Sequence, residues 1–266
     1  MSAVIKLSSQ STKEFWEIPI LFEDEHLLAL DKPSRLLSSP DRYDPARPNL
    51  MRLLHEGIKA GKPWARERGL SYLANAHRLD FETSGVMLLA KSKPVLVALA
   101  DQFGTNQPRK TYLALVQHAP AEATFTVDAP LSAHPFQPGV VRVDLQHGKK
   151  SRTDFEVVEK FDGWAWLKCR PLTGRTHQIR VHLRHARHTI VADEVYGGKP
   201  LWLSRLKRDY RLKPGREERP LLNRVALHAA ELTITHPITG ASVTIESPLP
   251  KEFRVALKYL RQFAAA

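Results

Sequence analysis

Three short segments hold the side chains whose types and spacing could do chemistry. HRLDFETSG, residues 77–85, places a carboxylate two positions after an arginine and follows it with Thr83, Ser84 and Gly85. An aspartate at such a junction can project into a cleft, where an ionised carboxylate can serve as base or nucleophile. Taken alone, the Arg78-x-Asp80 pattern equally describes an aspartate that caps a turn or joins a surface ion pair. In RKTYLALV, residues 109–116, Lys110 and Tyr112 share one face of a strand, because side chains two apart point the same way. Ordinary strand amphipathicity produces that pattern too. In RPLTGRTHQIRVHLRHA, residues 170–186, a Thr-Gly turn leads into a helix, and Arg175, Arg180 and Arg184 occur without one acidic residue. Phosphate or a buried carboxylate must neutralise part of that charge.

The elements that position these segments follow from hydrophobic pattern. IPILF and HLLALD, separated by Glu23, Asp24 and Glu25, predict a β-hairpin over 18–33. Residues 34–69 are rich in proline, arginine and serine around a short helix near Leu50–Ile58; they are expected on the surface as a candidate contact region for a partner. SGVMLLAKS suits a buried strand, although periodicity alone leaves helix open, and Val95, Leu99 and Phe103 at a spacing of four mark a helix. From Lys110 onward the pattern becomes strand-like, with alternation at Val141, Val143 and Leu145 and again in ELTITH, which implies an antiparallel sheet. THPITGASVTI reads as a second hairpin, and Phe253, Ala256, Leu257 and Leu260 form one face of a closing helix. Residues 199–219 carry eight Lys/Arg against three Asp/Glu, with Trp202 and Tyr210, a composition that suits phosphate contact or a solvated loop.

The 266 residues are expected to form a flexible leader over 1–14 and one α+β domain over 15–266, with a basic insert near 199–219. A formal charge of +12, from 40 Lys/Arg against 28 Asp/Glu, favours a polyanion, and nucleic acid is the leading partner. No basic amphipathic helix, signal sequence or apolar run near the ~18 residues of a span supports a membrane partner. The single cysteine, Cys169, excludes an internal disulfide and a cysteine-cluster zinc site, and the cytoplasm or an organelle matrix fits best. His177, His182, His185 and His188 invite a metal reading, yet only His182 and His185 share a helical face at suitable spacing and no acidic residue lies among them; no metal is expected. The five tryptophans read as core or edge packing, with Trp164 and Trp166 alternating in a strand.

HRLDFETSG, KTYLALV and LTGRTHQIRVHL, with LFEDEHLLALDKP before them and DEVYGG and LHAAELTITHPITG after, resemble the motifs of the RluA-type family of pseudouridine synthases, in that family's order, from about Ile20 to Phe253. The resemblance implies an RNA-modifying isomerase without cofactor, on a pseudouridine synthase-like α+β domain with a long mixed, mostly antiparallel sheet flanked by helices and loops. Carried over by motif position, it implies that Asp80 is the catalytic aspartate, Tyr112 the active-site tyrosine, Arg175 the arginine that pairs with the carboxylate, and Arg78 an aid in extruding the base. Lys110 takes a supporting or RNA-binding role. His77, Thr83, Leu172, His177, Gln178 and Arg180 are the further expected substrate or RNA contacts, with His77 and His177 equally readable as satisfied structural histidines.

Isomerisation breaks the bond from ribose C1′ to uracil N1, turns the base and rejoins it through C5. The carboxylate attacks C1′, or removes the 2′ proton to form a glycal, and must be ionised for either. Desolvation raises an aspartate from about 3.9, and an adjacent arginine counters that shift. A base inside folded RNA must first be extruded, at a cost of about a few kcal/mol, and phosphate contacts make binding fall steeply with salt. Two other readings use the same residues: a non-catalytic RNA-binding or RNA-folding protein, and an N-ribosyl hydrolase that would release uracil. The chain departs from its relatives in having about 14 residues ahead of the core, where many carry a small RNA-binding domain, and in placing Ala192 before Asp193 where Gly-Asp is usual. The resemblance implies ribosomal or transfer RNA as the substrate without choosing between them, and a monomer is the default.

Overall fold

The predicted hairpin over 18–33 forms as antiparallel strands Phe15–Glu23 and Leu27–Lys32, with a register shift between Ile20 and Phe22. Asp24 closes it: its Oδ1 accepts the amides of His26 and Leu27, both at 2.7 Å. The computed structural model describes residues 3–9, 11–41, 44–212 and 215–265. Where the sequence predicts one domain from residue 15 on, the chain divides into two compact units: residues up to Lys110 with Ala229–Ser247, and Thr111–His228 with the residues from Pro248 on. Neither unit is contiguous in sequence, so composition along the chain carries no boundary signal.

In the first unit the hairpin gains an edge strand, Val4–Ser8, paired with Phe15–Glu23 from Val4↔Pro19 to Ser8↔Phe15. Within the stretch expected as a loose leader, the alternation of Ile5 and Leu7, both buried, holds this strand against the sheet. Ser84–Ala90, buried at all seven positions, pairs with Leu27–Lys32 and has Leu227–Thr235 as its other neighbour. Leu227–Thr235 pairs with Ser242–Glu246 as the expected second hairpin. Helix Lys93–Gly104 lays Val95 and Leu99 on a core that includes Val86, Leu88, Leu232 and Ile234. The 34–69 segment is less superficial than its composition suggests. Asn49 caps helix Leu50–Lys59 by accepting the Arg52 amide at 2.9 Å, and the helix buries Leu50, Met51, Leu53 and Leu54. Residues 42 and 43 of this segment lie outside the described residues.

In the second unit the strands follow the order Arg109–Gln117, Trp164–Pro171, Arg152–Phe161 and Thr124–Asp128, all antiparallel. Helix Lys251–Phe263 buries the four residues predicted for its inner face, with Phe253 edge-on to Trp166 at 5.8 Å. The strand read at Val141, Val143 and Leu145 is shorter than its alternation. Val141–Val143 pairs with Leu131–Ala133, and Leu145 is exposed in the following turn, where Asp144 Oδ1 accepts the amides of Gln146 and His147. The basic insert is anchored by Leu201 and Leu206, both buried, and by a bridge from Leu201 to Leu222; Lys213 and Pro214 lie outside the described residues. The fold is α+β and mostly antiparallel, and no helix among the described residues is long and apolar enough to cross a membrane.

Candidate active site

Asp80 lies on the irregular segment between Ala74–Asn75 and Ser84–Ala90, and its two neighbours are tied down. The Ser38 hydroxyl donates to Leu79 O at 2.9 Å and accepts from Leu79 N at 3.0 Å, while Arg35 N donates to Phe81 O at 2.7 Å. Thr83, 2% exposed, closes the loop by donating its amide to Asp80 O at 3.2 Å. The segment that does this tying is itself held from within. Lys32 is fully buried, and its ammonium donates to Pro33 O at 2.8 Å and Leu36 O at 2.7 Å. The Arg47 guanidinium covers the Phe81 ring at 4.0 Å. The backbone on either side of Asp80 is thus fixed by hydrogen bonds from Arg35 and Ser38, residues distant in sequence. The Asp80 side chain is half-buried and Arg78 is exposed.

Gly85 ends the motif for a packing reason. Its φ is +116°, and a Cβ there would lie 2.1 Å from Ala229 O, so the neighbouring strand can approach only a glycine. His77 makes its contacts within the fold. Its Nε2 accepts the Leu88 amide at 2.9 Å, its ring stacks on Phe103 at 4.8 Å, and burial, helped by the charge of Lys110, pushes its pKa down to about 4. It is therefore neutral and extends the sheet's hydrogen bonding with a side chain. Lys110 is half-buried, and desolvation lowers its pKa to about 8.

In the second unit Tyr112 is half-buried on the strand Arg109–Gln117, paired in register with Cys169. The turn ahead of helix Gln178–His185 is organised by Gln178, which is buried. Its Oε1 accepts from Thr173 Oγ1 at 2.6 Å and Arg175 N at 3.0 Å; its Nε2 donates to Arg152 O and Thr153 Oγ1, both at 3.0 Å. Gln178, expected as an RNA contact, instead spends its amide on shaping this turn. Leu172 is exposed, as is Arg175, whose Nε reaches Lys150 O at 3.3 Å.

Arg180, also expected to contact RNA, is buried. Its Nε and Nη2 grip Asp193 bidentately at 2.7 and 2.8 Å, and its guanidinium lies 4.9 Å over the Tyr196 ring. A buried carboxylate thus answers part of the charge in this motif, and the arginine is held in one orientation. His177, with φ of +54°, shares a hydrogen bond through Nδ1 with Tyr196 Oη at 2.8 Å, and that hydroxyl also accepts the Val141 amide at 3.1 Å. His182 bonds Thr153 and Ala129 O, and His188 bonds His118 O, so these histidines serve separate contacts. Ala192 sits in the left-handed region at φ of +59°, a backbone conformation that a glycine adopts without strain.

Lys32, Ser38, Asp193 and Tyr196 complete these arrangements. DEVYGG holds the last two, and no pattern in the sequence marks Ser38.

The family described as RNA pseudouridylate synthase matches residues 26–185. The ribosomal large subunit pseudouridine synthase C of Salmonella typhi is 39% identical over 247 residues, 92% of this chain and 70% of that protein. The ribosomal large subunit pseudouridine synthase D of Xylella fastidiosa is 35% identical over 252 residues, 93% of this chain and 71% of that one. Among solved structures, human RNA pseudouridylate synthase domain containing 1 superposes with a TM-score of 0.64 at 25% identity, covering 88% of this chain and 84% of that one.

Proposed function

Because the chain belongs to the pseudouridine synthase family and is an isomerase of uridine in RNA, we propose that its substrate is large-subunit ribosomal RNA and that Asp80 is its catalytic carboxylate. The substrate class rests on relatives that act on that RNA by name. Asp80 rests chiefly on one observation: Leu79 and Phe81, its two neighbours, are both tied to the 35–38 segment. A carboxylate whose backbone is fixed on both sides meets the reacting carbon without reorganising.

Asp80 either forms an ester at ribose C1′ as the bond to N1 breaks, or removes the 2′ proton to give a glycal. The uracil leaves as its N1 anion and turns; C5 then bonds to C1′ as the Asp80 ester bond breaks, or as the Asp80 carboxyl returns its proton to C2′ of the glycal. N1 takes up a proton as C5 loses one, so no atom is gained or lost. Tyr112 holds the uracil ring and assists loss of that proton. The pairing of Arg175 with the carboxylate rests on motif position alone, and its exposure favours a phosphate contact.

Tritium release from transcripts labelled at uridine C5 tests the reading, with ribosomal and transfer RNA in parallel. Release is expected on the ribosomal transcripts, and Asp80→Asn is expected to lower it by about 10³-fold or more while RNA affinity stays near the parent's. Full activity in that variant would overturn the assignment of Asp80; uracil set free in place of tritium would make the chain a hydrolase.

A further inference from the structure

Beside the motif segments, the second unit carries a small hairpin that none of the motif roles uses. Its strands, Leu131–Ala133 and Val141–Val143, are seated by packing of Leu131 with Val181 and Tyr196 and by the bond from Val141 N to Tyr196 Oη. Its loop is braced as well: His134 N donates to Val140 O at 2.8 Å, Val140 N to Gln137 O at 3.1 Å, and Phe136 N to His134 Nδ1 at 3.3 Å. At the tip of this braced loop, between Pro135 and Gln137, Phe136 is 87% exposed.

One exposed apolar side chain is ordinary. What distinguishes Phe136 is its setting. Beside the hairpin lies a cavity of about 360 Å³, lined among others by His134, Arg142, Arg184, His185 and Tyr196, with no carboxylate among its described lining residues. That volume falls in the range of small-molecule sites, about 300–1,000 Å³. Arg142 has Asp144 at 3.6 Å and Arg184 donates through Nη1 to Tyr196 O at 2.8 Å, so both guanidiniums are oriented by the protein while their residues stay exposed. A rigidly presented aromatic face next to oriented cations, on a chain of charge +12, matches an unpaired nucleotide: a base to stack and a phosphate to neutralise.

We propose that this hairpin and cavity dock an unpaired nucleotide of the substrate RNA other than the isomerised uridine, with Phe136 stacked on its base and Arg184 at its phosphate. The proposal rests on the RNA-isomerase reading and adds a second anchoring point to it. Phe136→Ala removes a side chain with almost no packing, so the fold is retained. Binding and KM are measured on the ribosomal transcript from which the parent protein releases tritium. Phe136→Ala is expected to raise both Kd and KM by about tenfold, Phe136→Trp to restore them, and Arg184→Gln to lower the slope of log affinity against log salt by about one. If the parent is active and Phe136→Ala binds as tightly as the parent does, the docking proposal is overturned and the function reading stands; a protein surface then becomes the better account of the exposed ring. A parent that neither binds nor modifies RNA overturns both.

Discussion

The Asp80 loop and the Thr173–His177 turn are both irregular, both lie in the motif segments, and are held in different ways. Around Asp80 the restraints act on the main chain: Ser38 and Arg35 address the backbone of Leu79 and Phe81, and Gly85 lets Ala229 come close. Around Arg175 they come from side chains, with the Gln178 amide reaching four partners and Tyr196 holding His177. A loop fixed through its backbone tolerates changes in its own side chains and fails when the approach of the neighbouring chain is blocked. A turn fixed by one buried amide fails when that amide is removed.

The largest effect is expected at the first region. Gly85→Ala forces a Cβ into the Ala229 carbonyl, and the loss of stability is expected at about 4 kcal/mol or more in urea unfolding; a well-folded variant would show that the two strands are not committed to that approach. Gln178→Ala removes four hydrogen bonds, one of them to the buried Thr153 hydroxyl, and is expected to cost about 1–3 kcal/mol. A cost near zero, checked the same way, would mean that the turn is held by its backbone after all.

The pH dependence of stability separates a further contribution. The His77 pKa falls from 6.5 to about 4 on folding, so the unfolded chain takes up the proton first as pH drops. The folded state is therefore favoured above 6.5 and loses that advantage progressively between 6.5 and about 4. Unfolding titrations at pH 7 and pH 5 are expected to show a smaller decline for His77→Gln, which keeps an acceptor for the Leu88 amide, than for the parent; equal declines would remove His77 as a source. The smallest effect is a gain: Ala192→Gly relieves the left-handed backbone and is expected to stabilise by about 0.5–1 kcal/mol, read as a rise in the unfolding midpoint.

Patterned elements were legible in the sequence. The two hairpins and the helices led by Val95 and Phe253 appear where periodicity places them, because a repeat of apolar residues reports directly which face is removed from water; Ser84–Ala90, apolar without a repeat and buried on both faces, needed the sheet to decide between strand and helix. Ile5 and Leu7 offer too short an alternation to mark a strand in the sequence, and the alternation from Val143 to Leu145 outruns its strand because the turn at Asp144 ends it.

Sequence by itself thus determined the family, through three ordered motifs, and the strands and helices that carry them. Tertiary structure decided what the polar residues inside those motifs do. His77, Gln178 and Arg180 look from the sequence like groups for RNA, and in the fold each bonds to the chain itself: the Leu88 amide, the Thr173–Arg175 turn and the buried Asp193 carboxylate. Hydropathy can say that a residue is polar. Whether its hydrogen bonds go to water, to RNA or to the chain's own backbone depends on which groups come within about 3 Å, and those groups are brought there by folding from distant parts of the sequence.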